Sequence, residues 1–497
     1  MFILSIDQGT TGTTAVIINA ETFELVGKVN KEYQQIYPEP GWVEHNLNDI
    51  WQTVEDTTKE ALKKFNVLPN QIKAIGITNQ RETTCAFTKD GQPIANAIVW
   101  QDRRTSKFCE ELKSKGHTEQ IHKKTGLTVD PYFSGTKINW LLKNNSSVKE
   151  AFNNDDLLIG TIDTFLLYKL TGHVSHKTDT SNASRTMLMN LETTDWDQEM
   201  LNLLDVPQNI LPEICESIGE FGFTKGLGFL PDGIPISGIL GDQQAALFGQ
   251  ACFRSGEGKC TYGTGAFMLV NTGEEIKYSD NGLLTTVAYK YNNKTYYALE
   301  GSCYIAGACV QWLRDNLKFF DASPDIEREA LKVKNLQSTK DILLLPFFTG
   351  LGSPYWKSEA KAALIGLTRD SGVPEISRAA LEGIALSIND LIKAMEIDFD
   401  KSIETLKVDG GAVANDLLMN IQSSISNIEV IRPDVIETTA YGAAMAAAIG
   451  TGLTSMDKVT ELWRVDKTFN TSRTPDESSY FSHKSELWTT YIKNNFL

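Results

Sequence analysis

Three parts of this chain carry side chains able to do chemistry together. Near the amino terminus, Asp7, Gln8, Gly9, Thr10, Thr11, Gly12 and Thr13 join two β-rich segments and offer successive backbone N–H groups beside several hydroxyls. Runs of this kind are what a phosphate chain binds. Tyr262, Gly263, Thr264 and Gly265 form a counterpart between two later β-rich segments, so two phosphate-cradling hairpins are expected to face each other across a cleft. The third part is a set of polar strand ends: Asn79, Gln80, Arg81 and Glu82, then Trp100 with Gln101, Asp102, Arg103 and Arg104, then Asp242. Polar clusters at the carboxyl ends of strands are where α/β sheets bind ligands. An Arg beside a Glu can donate to one hydroxyl and accept from another, and Trp100 can cover a carbon face, which together suit a neutral polyol. Taken singly, each has a plainer explanation: an N-cap for Asp242, a solvated ion pair for Arg81 and Glu82, and core packing for Trp100.

The elements that must position these residues repeat. FILSI, AVIIN and FELVGKVNKEY read as an antiparallel meander, and a second meander begins near Gly258 with GKCTY, AFMLVNTG and YKYNNKTYYALEG. The two halves echo each other, and an internal duplication with a boundary near residues 249–257 is expected. This divides the chain into a domain of residues 1–250, a second of 251–450 and a polar tail of 451–497 packing on the second. KAIGITNQ and IPISGIL are predicted strands, the latter running into a helix that opens at Asp242; residues 305–317 have helical periodicity. Residues 406–422 read strand, double-glycine turn, helix, with Gly410 and Gly411 placed to let a flat ligand approach the backbone.

At 497 residues, two to four domains are expected. The 47 basic and 63 acidic side chains give a net charge of −16, which argues against a nucleic-acid or anionic-membrane surface. Seven cysteines, an odd number with no CxxC pair, suit reduced thiols. The amino terminus reads as a first strand and not as a secretory signal, and the weak membrane candidate at 438–456 is too rich in Thr, Gly and Ala. A soluble cytoplasmic protein is expected. Neither a P-loop nor a Rossmann fingerprint occurs, so another scaffold must hold any nucleotide. His173 and His176 lack further ligands and are not read as a metal site.

Taken in order and spacing, DQGTT, NQRET, WQDRR, GDQQAALFGQ, TYGTG and VDGGAVAN resemble the FGGY family of carbohydrate kinases over about residues 1–450. The resemblance implies an α/β fold of two actin-like, ribonuclease-H-like domains flanking an interdomain cleft, and ATP-dependent phosphorylation of glycerol to sn-glycerol 3-phosphate. It implies that Arg81, Glu82, Tyr132, Asp242 and Gln243 hold glycerol against an apolar wall of Trp100 and Phe267. Thr10, Thr11, Gly263 and Thr264 would meet the phosphates, and Gly307, Gln311, Gly411 and Asn415 the adenosine end. Magnesium would arrive on ATP near Asp7 and Asp242, with Asp242 the general base, and relatives are commonly dimers or tetramers. Where many relatives carry an Arg, this chain has Thr14, which implies one cationic phosphate contact fewer. The loop TKGLGFLPDGIPISG lacks the arginine and histidine through which some relatives are regulated, so neither control is expected. The rival expectations are an FGGY kinase for a ketopentose, another polyol or gluconate, and an ATP-gated binding protein on the actin-like scaffold.

Overall fold

In the computed structural model, which describes residues 1–470 and 473–497, β1 (Phe2–Gln8), β2 (Gly12–Asn19) and β3 (Leu25–Glu32) form the expected meander, with Phe2 opposite Asn19 and Gln8 opposite Thr13. β4 (Ile72–Asn79) adds parallel to β1, β6 (Pro235–Gly241) adds parallel to β4, and β5 (Ile218–Phe223) closes the edge antiparallel. The sheet order is β5-β6-β4-β1-β2-β3. Ile3, Leu4, Ser5 and Ile6 are all buried because both faces of this sheet are covered. Leu4 and Ile6 pack with Leu47, Ile50 and Val54 of α1 (Leu47–Lys64) on one face, while Ile3 and Val16 belong to a core on the other.

The second half repeats the plan. β7 (Gly258–Tyr262), β8 (Ala266–Gly273), β9 (Leu284–Tyr291), β10 (Lys294–Cys303), β11 (Thr405–Asp409), β12 (Glu429–Pro433) and β13 (Val465–Phe469) lie in the order β9-β10-β8-β7-β11-β12-β13. The run β10-β8-β7-β11-β12 matches β3-β2-β1-β4-β6 in order and direction, which is the ribonuclease-H-like arrangement twice over.

Short helices leave the strand ends: α2 (Asp242–Gly249) after β6, α3 (Gly307–Asp315) after β10 and α4 (Asp416–Ser426) after β11. α5 (Thr438–Gly450), from the carboxyl half, lies on the first sheet and against α2. Its alanines allow this close seat, and so do glycines beneath: a Cβ on Gly76 would stand 2.2 Å from the Ala443 carbonyl oxygen, and one on Gly238 2.4 Å from the Ala447 nitrogen. Most of the uncharged window at 438–456 is thus the buried helix Thr438–Gly450, with the remaining residues in the partly exposed turn after it, and no helix among the described residues is long and apolar enough to cross a membrane. All seven cysteines are free and six are buried.

The polar stretch near the carboxyl end holds a 22-residue helix, α6 (Pro475–Phe496), capped reciprocally by Thr474 and Glu477. Tyr480, Phe481, Trp488 and Ile492 reach from it into the core of the second domain. Trp488 is 1% exposed, meets Phe347 edge to face at 5.5 Å and donates its indole N–H to Asp390 Oδ2 at 2.7 Å. Trp488→Ala is expected to cost about 3–5 kcal/mol of stability, measured by denaturant unfolding; a loss below about 1 kcal/mol would mean that the helix contributes little to this core.

Candidate active site

β1, β4 and β6 are mutually parallel, so their carboxyl ends bring Asp7, the segment 79–82 and Asp242 to one edge of the first sheet. Asp242 is not an N-cap. Gly241 holds that position, and Asp242 is the first residue of α2. Its Oδ1 accepts the Gln243 N–H at 2.7 Å and lies 3.0 Å from Arg81 Nε, while Oδ2 has no donor among the described residues and the side chain is 32% exposed. Burial pushes its carboxyl above the ordinary range, against the opposing pull of Arg81 and Lys259.

Arg81 is not a solvated surface charge. It is buried, and its guanidinium grips Glu300 of β10 with two bonds, Nη1 to Oε2 at 2.5 Å and Nη2 to Oε1 at 2.9 Å. Arg185 Nη2 also donates to Glu300 Oε1 at 3.0 Å, and Arg185 Nε donates to Glu82 Oε1 at 2.7 Å. Four buried charges therefore tie the first domain to the second. Burial alone would raise the Glu300 pKa, but Arg185 and Arg81 outweigh it and hold the carboxylate down at about 2. Glu82 adopts a left-handed conformation, φ 60°, uncommon for a residue with a Cβ. Tyr132 completes the group: Trp100 meets its ring edge to face at 5.6 Å, and its hydroxyl is 3.5 Å from Arg81 Nη2.

Trp100 joins this pocket to the Gly/Thr loop between β1 and β2, because its indole N–H donates to Thr10 Oγ1 at 2.9 Å. The loop is braced from behind. Tyr33 Oη lies 2.6 Å from the Gly9 carbonyl and 2.8 Å from that of Thr10, which also accepts from Gln35 Nε2, and the Thr11 carbonyl accepts the Tyr33 N–H. The amides of Thr10 and Thr11 have no acceptor among the described residues. Thr14 stands opposite Asp7 on β2 and accepts from Asn30 Nδ2.

In the second domain the 262–265 hairpin is docked on the start of α3. The Gly307 N–H donates to the Gly263 carbonyl at 2.9 Å, and the Ala306 and Ala308 amides both reach the Thr264 carbonyl. Gly410, φ 92°, is the glycine of close approach, since a Cβ there would lie 2.6 Å from the Tyr262 carbonyl oxygen; Gly411 faces open space. Gly263, Thr264, Gly307 and the double glycine therefore gather around one hairpin. Gln311 lies one turn along α3 and is exposed, and Asn415 caps α4 through the Leu418 N–H at 2.8 Å. These last two share no hydrogen bond with the others.

Gln243 and Phe267 bring in a residue the sequence did not mark. Gln243 Oε1 accepts from Lys259 Nζ of β7 at 2.5 Å, and Phe267, paired with Thr261 across the β7–β8 hairpin, offers its carbonyl to the same ammonium at 3.5 Å. Of the WQDRR cluster only Trp100 enters the site. Arg104 pairs with Glu44 and Asp102 under Trp42, and Arg103 pairs with Asp130. His173 stacks on Tyr168, and His176 bonds the Ile159 carbonyl. Among the described residues no three His, Cys, Asp or Glu side chains form a metal cage. Asp7 faces Asp242, and burial together with that neighbouring carboxylate raises its pKa to about 7.

Twin ribonuclease-H-like domains, each lending a Gly/Thr hairpin and meeting at a buried charge cluster beside a free carboxylate oxygen, define a two-lobed phosphotransferase. The chain belongs to the FGGY family of carbohydrate kinases, whose N-terminal domain matches residues 2–249 and whose C-terminal domain matches residues 258–451. It is similar to a glycerol kinase of Bdellovibrio bacteriovorus, 49% identical over 95% of this chain and 96% of that one. It is likewise similar to glycerol kinase 2 of Thermotoga maritima, 48% identical over 96% and 95%. Among solved structures, glycerol kinase of Plasmodium falciparum with ADP superposes with a TM-score of 0.91 at 36% identity, over 100% of this chain and 98% of that one. A xylulose kinase of Lactobacillus acidophilus shares the fold, with a TM-score of 0.87 at 22% identity over 99% and 98%.

Proposed function

We propose that this enzyme phosphorylates glycerol, using ATP, to give sn-glycerol 3-phosphate and ADP, with Asp242 as general base. The observation that carries the mechanism is the split use of the Asp242 carboxylate, with Oδ1 held by Arg81 and the Gln243 amide while Oδ2 is unpartnered. The fixed oxygen sets the orientation; the free one takes the proton. Arg81 and Tyr132 would face the hydroxyls, and Trp100 and Phe267 the carbon chain. As the terminal hydroxyl oxygen attacks the γ-phosphorus in line, Oδ2 accepts its proton. The amides of Thr10 and Thr11 and the 262–265 hairpin receive the phosphate oxygens, and Gly307, Gln311, Gly411 and Asn415 are assigned to the adenosine end. Closure of the domains keeps water from competing as acceptor.

The donor set fits magnesium carried on the nucleotide. Asp7 and Asp242 are two carboxylates close enough to feel each other's charge, with no three-ligand cage among the described residues, which suits a cation that retains several waters. When bound, it would neutralise charge on the phosphoryl oxygens. The cytoplasm, which holds ATP and keeps thiols reduced, is the proposed setting, and a homodimer or homotetramer the proposed assembly.

A coupled ADP-release assay across glycerol, dihydroxyacetone, xylulose, ribulose and gluconate tests this reading. The expected result is the highest kcat/KM with glycerol. ATP turnover indifferent to every acceptor would overturn it in favour of an ATP-gated binding protein.

A further inference from the structure

Lys259 is fully buried on β7, yet it makes no ion pair among the described residues. Its three hydrogen-bond acceptors are neutral oxygens, Gln243 Oε1 at 2.5 Å, Thr261 Oγ1 at 2.8 Å and the Phe267 carbonyl at 3.5 Å, and the nearby carboxylates of Asp409 and Asp242 act on it only through space. Burying an ammonium without a salt bridge is costly to the fold. Such a position invites a reason beyond packing.

An ammonium group has three donors and no acceptor, whereas a glutamine amide has one end of each kind. Lys259 therefore forces Gln243 to turn its carbonyl inward. The Nε2 amide of Gln243 has no acceptor among the described residues, one residue from the unpartnered Oδ2 of Asp242. We infer that Lys259 is a positioning residue that reaches across the domain seam to fix Gln243 as a hydrogen-bond donor toward the acceptor molecule. One hydroxyl then gives its proton to Asp242 while a neighbouring hydroxyl oxygen accepts from Gln243. The pocket reads two adjacent hydroxyls with opposite polarity, and the second domain sets that polarity. This deepens the glycerol reading and rests on it.

Lys259→Met removes the donors at similar volume. The expected result is a glycerol KM raised about tenfold, the scale of one lost hydrogen bond, with kcat lowered by a smaller factor and ATP KM within twofold, while Tm falls because the oxygens that accepted from Lys259 lose their donor. In a Gln243→Met background the same change should move glycerol KM by less than twofold. Gln243→Glu is a second arm that retains the Lys259 contact but replaces the outward donor with an acceptor. It should raise glycerol KM similarly while raising Tm. An unchanged glycerol KM in Lys259→Met or in Gln243→Glu overturns the inference. So does an equal increment in the Gln243→Met background, or a parallel rise in both KM values. If wild-type enzyme leaves glycerol unphosphorylated, the parent reading falls instead.

Discussion

Asp242→Asn is expected to lower kcat at least ~100-fold, the contribution usually made by a positioned base. Asparagine preserves the shape and retains one oxygen for the Gln243 amide and Arg81 Nε, the two partners of Oδ1. It offers no group that takes up a proton at neutral pH where the unpartnered Oδ2 stands. The change should therefore act on turnover far more than on folding. Initial rates at saturating glycerol and ATP, read beside thermal unfolding, separate the two. A kcat within threefold of wild type would remove Asp242 from the mechanism.

Glu300→Ala is expected to cost about 3–5 kcal/mol of stability, the usual penalty for removing one partner of a buried ion pair. Glu300 is the acceptor for both Nη atoms of Arg81 and for Arg185 Nη2, so its loss leaves Arg185 only its Glu82 contact and Arg81 only its Asp242 contact as carboxylate partners among the described residues. Acid should reproduce the effect. The folded-state pKa of Glu300 is depressed to about 2 from its ordinary 4.5, so its contribution is present above pH 4.5 and is lost as pH falls toward 2. Urea titrations of the wild type and Glu300→Ala between pH 3 and 7 should converge toward the acid end. A gap in unfolding free energy that stays constant over that range would show that the charge on Glu300 is not what the fold uses.

The parts of the site legible in the sequence are those whose chemistry is local. A Gly/Thr hairpin between strands, a polar run at a strand end and an Asp at the junction of strand and helix can each be read from a few neighbours. Duplication of the meander could be read the same way. Arg185, Glu300 and Lys259 could not, because each works through partners 16 to 219 positions away in the chain. A signal did exist for Glu300: an acid inside the apolar run of β10, where an unpaired charge is rarely buried. The double glycine shows the reverse limit. Sequence marks both residues alike, but Gly410 serves the Tyr262 backbone and Gly411 lies open. Asn415, assigned to the adenosine end by resemblance, has its side-chain oxygen engaged as a helix cap.

The seating of α5 on the first sheet bears on how this enzyme can be dissected. Severed in the linker at 250–257, the amino-terminal fragment would carry the β1-β4-β6 surface bare, with Gly76 and Gly238 facing solvent where Ala443 and Ala447 now sit. The two fragments are therefore obligate complements: each should aggregate alone, and activity should return only when they are coexpressed. The two halves behave as one cooperative body because a helix from the second half covers the sheet of the first.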